Sequence, residues 1–276
     1  MFTPLTLAAA LLLAQAPPPA AGALALNNVR NTYGELGGTR PDGKLIPGDV
    51  LFVGFDIEGI TIQPNGQVTY SMALEVIDDK GKAIFKQDPA EKVDFVPLGG
   101  NKLPARAFIT VGLDQPPGAY TLKVIVSDKA TKATKTLEKK FDVAPRDFGI
   151  VAVYSSVDER GSIPAPTTGI VGQSVFVQFS VVGFDRAPSK TNPKVKHPDV
   201  LVEMQTLDDS GKPTMEKPAT FNLAGGVEEK ESAFTLRFLL PLTRVGKFSV
   251  RLKAVDNIAK KSATFDLPIA VVPSAN

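Results

Sequence analysis

The chain contains the same sequence pattern twice, and this repeat constrains its fold more than any other feature. Residues 48–59 return at 172–183 with a shift of 124 positions, residues 76–82 at 206–212 with a shift of 130, and residues 118–128 at 246–256 with a shift of 128. Three matching blocks in the same order indicate two copies of one domain whose loops differ in length. The shift grows by about six residues across 187–199, so we interpret this segment as an insertion in the second copy.

Each copy shows the alternation that is typical of β-strands. Phe248, Val250 and Leu252 alternate with Ser249 and Arg251, and a two-residue period with one polar face indicates an antiparallel sheet that covers a core on one side. Glycine-containing turns separate these runs. We predict seven strands in the first copy, near 24–30, 49–58, 68–78, 82–87, 105–113, 119–128 and 133–143, and equivalent strands in the second copy. For the strand near 105–113, the sequence does not decide which residues point inward.

One corner of the first copy resembles a known family. Asp114-Gln-Pro-Pro-Gly-Ala-Tyr-Thr-Leu122 is similar to the D-x-G-x-Y-x-C corner of immunoglobulin-like domains. The resemblance implies that the Tyr120 hydroxyl bonds back to the backbone just before its own strand. Leu122 stands at the cysteine position, Phe248 replaces the tyrosine in the second copy, and the chain has no Trp and no Cys.

The pattern is therefore more similar to the divergent, disulfide-free Ig-like or fibronectin-III-like modules of bacterial exported proteins. It implies an all-β fold class, with two tandem seven-stranded Ig-like antiparallel β-sandwiches preceded by a signal peptide.

The N-terminus predicts export. Residues 5–14 form an apolar run that is too short for a bilayer span of about 20 residues, and A-x-A patterns follow at 14–16 and 21–23. The segment before the run has no Lys or Arg, which leaves a non-exported protein with an apolar tail as the alternative. We predict a signal peptide over 1–23, a first domain over 24–145 and a second over 146–276. The expected destination is the periplasm, the cell envelope or the exterior.

The sequence offers little for catalysis or cofactor binding. Cys is absent, His197 is the single histidine, and no G-x-S-x-G, H-E-x-x-H or Gly-rich phosphate motif occurs. The paired carboxylates at 78–79 and 208–209 recur before a glycine in both copies, so we assign them to hairpin turns. We predict a protein that is not an enzyme, with no catalytic residue and no cofactor.

Acidic residues near the predicted linker and at two equivalent strand ends suggest Ca²⁺ as a further possibility, but their spacing lacks the local clustering that Ca²⁺ sites use. We therefore predict no metal site. The residues considered are Asp128, Asp142, Asp147, Asp158, Glu159 and Asp256.

The insertion is the candidate binding segment, because long loops on a rigid scaffold often carry binding. Its basic residues are Lys190, Lys194, Lys196 and His197. The net charge of only +2 gives no reason to expect nucleic acid, and no apolar stretch of membrane length follows the predicted signal peptide. We expect a protein partner, while the oligomeric state stays open.

The alternative partner is an extracellular polysaccharide, for which Tyr33, Tyr154 and Phe184 are the visible aromatic candidates. Exposed aromatic side chains clustered on one sheet face would favour the polysaccharide. A flat apolar patch or an open, uncharged edge strand would favour the protein, and a deep pocket with convergent carboxylates would favour an enzyme.

Overall fold

The computed structural model describes residues 23–41, 43–189, 195–224, 227 and 230–274. The predicted signal peptide, apart from its last residue, lies outside these residues, and so do Lys190 and Lys194 of the predicted binding segment. The described chain is all-β, and its antiparallel sheets form β-sandwiches, which confirms the all-β sandwich part of the predicted fold class. No helix in the described ranges has the length and hydrophobicity needed to cross a bilayer.

The first half of the chain forms two facing sheets, one with the order β1-β2-β5 and one with the order β4-β3-β6-β7. Its strands are β1 Ala25–Asn31, β2 Val50–Glu58, β3 Gln67–Asp78, β4 Ala83–Phe95, β5 Lys102–Thr110, β6 Gly118–Asp128 and β7 Thr134–Val143. We call this half the first sandwich.

The second half repeats this plan with the orders β8-β10-β15 and β14-β13-β16-β17-β9, and we call it the second sandwich. Its strands are β8 Gly149–Ser156, β9 Thr168–Ile170, β10 Ser174–Val182, β11 Ala187–Pro188, β12 Lys196–His197, β13 Val200–Asp208, β14 Ala219–Leu223, β15 Ala233–Pro241, β16 Gly246–Asp256 and β17 Lys261–Val272. β9 pairs in parallel with the end of β17. Every strand lies between residues 25 and 272, so residues 24–276 contain the whole described fold.

The alternating residues of the facing sheets fill the core of each sandwich. In the first, Phe55 and Ile57 of β2 and Leu122 and Val124 of β6 are completely buried and belong to one cluster. Burying an aliphatic or aromatic side chain of this size contributes about 1.5–3 kcal/mol. Phe179 and Leu252 occupy the corresponding positions of the second core. The two-residue period of the sequence therefore produces the two layers.

The structure corrects two strands of the first sandwich. β4 continues to Phe95, eight residues beyond the predicted end, and β5 begins at Lys102 and ends at Thr110. The inward face of β5, which the sequence leaves open, carries Leu103, Ala107 and Ile109, and Phe108 points outward with half of its surface exposed.

A loop of the first half joins the second core. Tyr33, in the connection between β1 and β2, is buried among residues of the second sandwich, and its ring meets Phe265 edge-on at 6.1 Å. The backbone N–H of Gly38 donates to the Thr167 hydroxyl at 2.9 Å. This loop therefore connects the two sandwiches in addition to the covalent link between β7 and β8.

Asp49 is the polar centre of this junction, and only 4% of its surface is exposed. One carboxylate oxygen accepts the N–H of Ala152 in β8 at 3.0 Å, and the other accepts the Arg40 guanidinium at 2.7 Å. The Arg40 side chain also lies 5.4 Å from the centre of the Phe265 ring. A buried carboxylate with several donors is oriented firmly, so Asp49 fixes β8 against the base of the first sandwich.

Candidate interaction surfaces

The predicted binding segment forms a small hairpin. β11 pairs with β12, with Ala187 opposite His197 and Pro188 opposite Lys196. Lys196 is exposed, whereas His197 is partly buried and its Nδ1 has no hydrogen-bond partner among the described residues. Of the four sequence-predicted basic residues, Lys196 is thus the one that the structure shows on the surface.

Arg186 holds the root of this hairpin. Its guanidinium donates to the backbone carbonyls of Lys196 at 3.3 Å, Val227 at 3.2 Å and Glu231 at 2.7 Å. The same group lies 5.3 Å from the ring of Phe184, which packs on Phe234. Charge-assisted bonds to three carbonyls restrict the motion of a loop root. The sequence gives no signal for this role, because the three carbonyls come from distant parts of the chain.

Asp256 and Asp147, two of the acidic residues considered for metal binding, have structural partners. The Asp256 carboxylate accepts the backbone N–H groups of Asp185, Ile258 and Ala259 at 2.7–3.0 Å. Asp147 accepts the Lys261 ammonium, which lowers the pKa of that carboxyl. Among the described residues, no group of three or more His, Asp or Glu side chains is placed to hold a metal ion.

Asp128 is the equivalent of Asp256 in the first sandwich. Its carboxylate accepts the N–H and the hydroxyl of Thr61 and the N–H of Ala130, at 2.7–3.0 Å. Burial acts to raise the pKa of Asp128, but the hydrogen bonds from Thr61 and Ala130 outweigh burial and hold the pKa below its usual range. Both residues therefore fasten the end of one strand to the loop that follows β2 or β10.

The paired carboxylates fix turns, as the sequence predicts. Asp78 accepts the N–H groups of Lys80 and Lys82 at 3.0 and 2.8 Å. Asp208 accepts those of Ser210 and Lys212 at 3.0 and 2.9 Å. The glycine of each turn has a φ of +79°, a conformation that favours glycine.

An open cleft of about 780 Å³ lies at the base of the first sandwich. Tyr120 and Phe141, whose rings stack at 5.6 Å, form part of its wall together with Lys140, Asp78 and Asp142. Asp78 is already engaged in its turn.

Aromatic side chains cluster on the outer face of the β1-β2-β5 sheet, beside the junction. Phe52 and Phe108 are cross-strand partners with ring centres 5.7 Å apart, and Tyr154 of β8 lies 6.3 Å from Phe52. Burial raises the pKa of the Tyr154 hydroxyl, which donates to the Gln178 amide oxygen at 3.3 Å. Of the other two aromatic candidates, Tyr33 is in the second core and Phe184 is partly buried at the hairpin root.

β4 is a free edge, and it is the longest strand of the described chain, with 13 residues. Nearly all of its residues are exposed, and its large apolar side chains include Phe85, Val93 and Phe95, which is 57% exposed. It also carries Lys86, Glu91 and other charges, so it is an apolar edge but not an uncharged one. The equivalent edge strand of the second sandwich, β14, has five residues.

The fold defines the chain as a β-sandwich protein. No family model matches the sequence, and no curated protein matches it. Among solved structures, the chain is similar to the red sea bream transglutaminase, with 8% identity and a TM-score of 0.29 over 92% of this chain and 32% of that one. It spans about a third of that enzyme's length.

A second similar structure is the C-terminal domain of the Streptococcus pyogenes antigen I/II-family protein AspA. It has 10% identity and a TM-score of 0.31, over 90% of this chain and all of that one. At these TM-scores neither likeness assigns a function.

Proposed function

We propose that this protein is an exported, non-catalytic module whose two Ig-like sandwiches bind another protein in the cell envelope or outside the cell, in an adhesive or structural role. Sheets of three and four strands in the first sandwich, and of three and five strands in the second, support the Ig-like assignment. So does the corner at Tyr120, whose hydroxyl donates to the Pro116 carbonyl at 2.8 Å. The apolar run and A-x-A patterns of residues 1–23 support export.

The β11-β12 hairpin is the observation that carries this proposal. It is an addition that the first copy lacks, and Arg186 anchors its root by three carbonyl contacts. A loop that is held at its root loses less conformational entropy when it binds. Its exposed cation, Lys196, suits an acidic patch on a protein partner.

The first experiment is co-sedimentation of residues 24–276 with cell envelope from the source organism, with and without protease treatment of the envelope. Binding that the protease abolishes supports a protein partner. Binding that survives the protease indicates a glycan or a lipid. An absence of binding in both samples would contradict an envelope partner.

A hairpin variant tests the surface. Pro188 and Lys196 are cross-strand partners, so a two-residue Asn-Gly turn can replace residues 189–195 without changing the sandwich. We expect this variant to lose envelope binding when it is combined with Lys196→Glu, which reverses the exposed cation that the shortened hairpin keeps. The matched control is Lys212→Glu, which alters a lysine of the Asp208 turn in the same sandwich and should bind normally.

A polysaccharide ligand is the second candidate, and the Phe52–Phe108–Tyr154 cluster is the observation that favours it. Aromatic rings on one sheet face offer stacking surfaces for sugar rings, and Phe108 is half-exposed. Phe108→Ala should abolish protease-resistant binding and leave protease-sensitive binding unchanged. The opposite pattern would remove this candidate.

A further inference from the structure

A row of alternating charges crosses the outer face of the four-stranded sheet and ends at its free edge. Glu138 of β7 is opposite Lys123 of β6, Lys123 is opposite Glu75 of β3, and Glu75 is opposite Lys86 of β4. Directly paired residues share a face of the sheet. The Lys123 ammonium lies 3.7 Å from the Glu138 carboxylate. The next strand in this series would continue the alternation with an acidic residue beside Lys86.

β4 itself supplies such a residue on the same face. Glu91 is opposite Ser71 of β3, and Ser71 lies four positions before Glu75, so Lys86 and Glu91 project from the same side of the sheet. An uninterrupted strand would place residues 86 and 91 on opposite sides. A register shift between Gln87 and Ala90 adds one residue to β4 and thereby brings them to one side.

We propose that the free edge of β4 binds β4 of a second copy of this chain in an antiparallel, two-fold symmetric pair. In the register that places the two bulges opposite each other, Lys86 of each copy meets Glu91 of the other. The same register sets Gln87 opposite Ala90 and Phe85 opposite Lys92. Both members of each pair share a face, because the bulge changes the alternation at the centre of the strand.

The pairing gives hydrogen-bond partners to the backbone N–H and C=O groups that the edge of β4 exposes in the monomer. The two sheets become one continuous sheet of eight strands, and the charge row of one copy extends onto the other. Val93 of each copy lies diagonally across from Lys86 of the other, so the lysine stem covers an exposed apolar side chain. Glu91 also keeps its intramolecular contact with Lys129, at 3.2 Å, which adds a second positive neighbour.

Edge strands that must stay unpaired are usually short, or they carry charges and prolines. β4 has Pro89 and several charges, but its length and exposed apolar residues are unusual for a protected edge. The charges at 86 and 91 repel most strands, yet they attract a second copy in this one register. The edge of β4 therefore favours pairing with a second copy of this chain over pairing with other strands.

Charge exchange tests the pairing. Sedimentation equilibrium of residues 24–276 from about 1 to about 500 µM should show a reversible monomer–dimer equilibrium. Lys86→Glu and Glu91→Lys each turn two attractive pairs into two repulsive ones, and each variant alone should dimerise roughly tenfold or more weakly. An equimolar mixture of the two variants should form a heterodimer nearly as stable as the original dimer, because the opposite charges then meet again.

Two controls accompany this experiment. Both side chains are on the surface, so the far-UV circular dichroism of the single variants should match that of the original chain. Thermal unfolding, compared at a concentration at which all three proteins are monomeric, should differ only by the loss of an exposed ion pair such as Lys129–Glu91. The chain has no cysteine, so Phe85→Cys with Lys92→Cys should yield a covalent dimer on mild oxidation. Either cysteine alone should yield none, because residue 85 lies about 20 Å from its own counterpart in this register.

A protein that stays monomeric throughout the concentration range would overturn the proposal. A dimer that survives both single charge reversals would overturn it too, since it would assemble through another surface. Failure of the mixed variants to associate would exclude this register.

Discussion

The two sandwiches close the same corner in different ways. In the first, the Tyr120 hydroxyl donates to the Pro116 carbonyl and accepts from the Gln115 amide at 2.8 Å. In the second, Phe248 has no hydroxyl, and the Arg244 guanidinium lies 5.1 Å from its ring centre instead. A cation–π contact thus occupies the place of a hydrogen bond. The corner tolerates a change of chemistry as long as an aromatic ring anchors the strand.

The carboxylate that fastens the end of β6 or β16 does not vary in this way. Asp128 and Asp256 are buried to 2% and 0% exposure. Each accepts a backbone N–H group from the loop after β2 or β10 and another from the turn that follows β6 or β16. Only an acceptor of this length and charge satisfies converging backbone donors in a buried position. The comparison predicts that loss of the carboxylate costs more than loss of the corner contact.

The largest effect is expected for Asp256→Ala. The substitution leaves the backbone donors of Asp185, Ile258 and Ala259 without their acceptor in a buried site, and the second sandwich should lose about 3 kcal/mol or more of unfolding free energy. Urea denaturation followed by far-UV circular dichroism measures this loss. Asp128→Ala should cost a similar amount in the first sandwich. A loss below about 1 kcal/mol for either variant would refute their equivalence.

Asp49 and Gln173 occupy equivalent positions, but only Asp49 joins the two sandwiches. Asp49→Ala removes the acceptor of the Arg40 guanidinium and of the Ala152 N–H, and we expect it to destabilise the protein by about 2 kcal/mol. It should also expose the 32–49 loop to limited proteolysis. Gln173→Ala removes an exposed bond to the Ile170 N–H and should change stability by less than about 0.5 kcal/mol. Equal effects of the two variants would mean that Asp49 has no junction role.

A smaller difference separates the two corners. Tyr120→Phe should cost about 1 kcal/mol, because it removes a partly buried hydrogen bond to the Pro116 carbonyl. Arg244→Ala should cost about 0.5 kcal/mol, the range of an exposed cation–π contact. Thermal unfolding of both variants in parallel measures the order. The reverse order would show that the cation–π contact is the stronger anchor.

The smallest expected effect concerns the pH dependence of stability. Because the folded state lowers the pKa of Asp128, the contribution of this residue is complete above its unfolded pKa of about 3.9 and is lost as the pH falls through the lower folded value. Stability measured from about pH 5 to about pH 2.5 should therefore fall less steeply in Asp128→Asn than in the original chain. Parallel slopes would assign the acid sensitivity to other carboxyls.

Most strands could be predicted because they cover a core on one face. β2, β3, β6 and β7 begin and end within about one residue of the predicted bounds, since their alternation of apolar and polar residues reflects burial directly. The hairpin turns at Asp78 and Asp208 were predictable for a similar reason, because the donors and the acceptor lie within four residues of each other.

β4 shows where this reasoning fails. Residues 88–95 include Pro89 and four charged residues, a composition that argues against a strand. The segment is nevertheless a strand, because it pairs along β3 while both of its faces meet solvent. Because neither face of this segment is buried, its sequence need not alternate between apolar and polar residues.

The candidate binding surfaces were predictable only in outline. The insertion at 187–199 was evident from the spacing of the repeats, but its anchor was not, because Arg186 contacts carbonyls up to 45 residues away. The aromatic cluster combines Phe52 and Phe108 with Tyr154 of the other half. Contacts between distant segments leave no periodic signal in either segment.

The burial of Tyr33 in the second core has a consequence for synthesis. The ribosome makes the chain from its N-terminus, and Tyr33 meets a ring at position 265, near the opposite end. The first sandwich can complete its own core long before then, yet Tyr33 and Arg40 lack their contacts with the Phe265 ring until β17 has emerged. A strand of the second sandwich therefore completes the packing of a loop in the first, and a chain broken before β17 lacks this ring contact at a site more than 100 residues before the break.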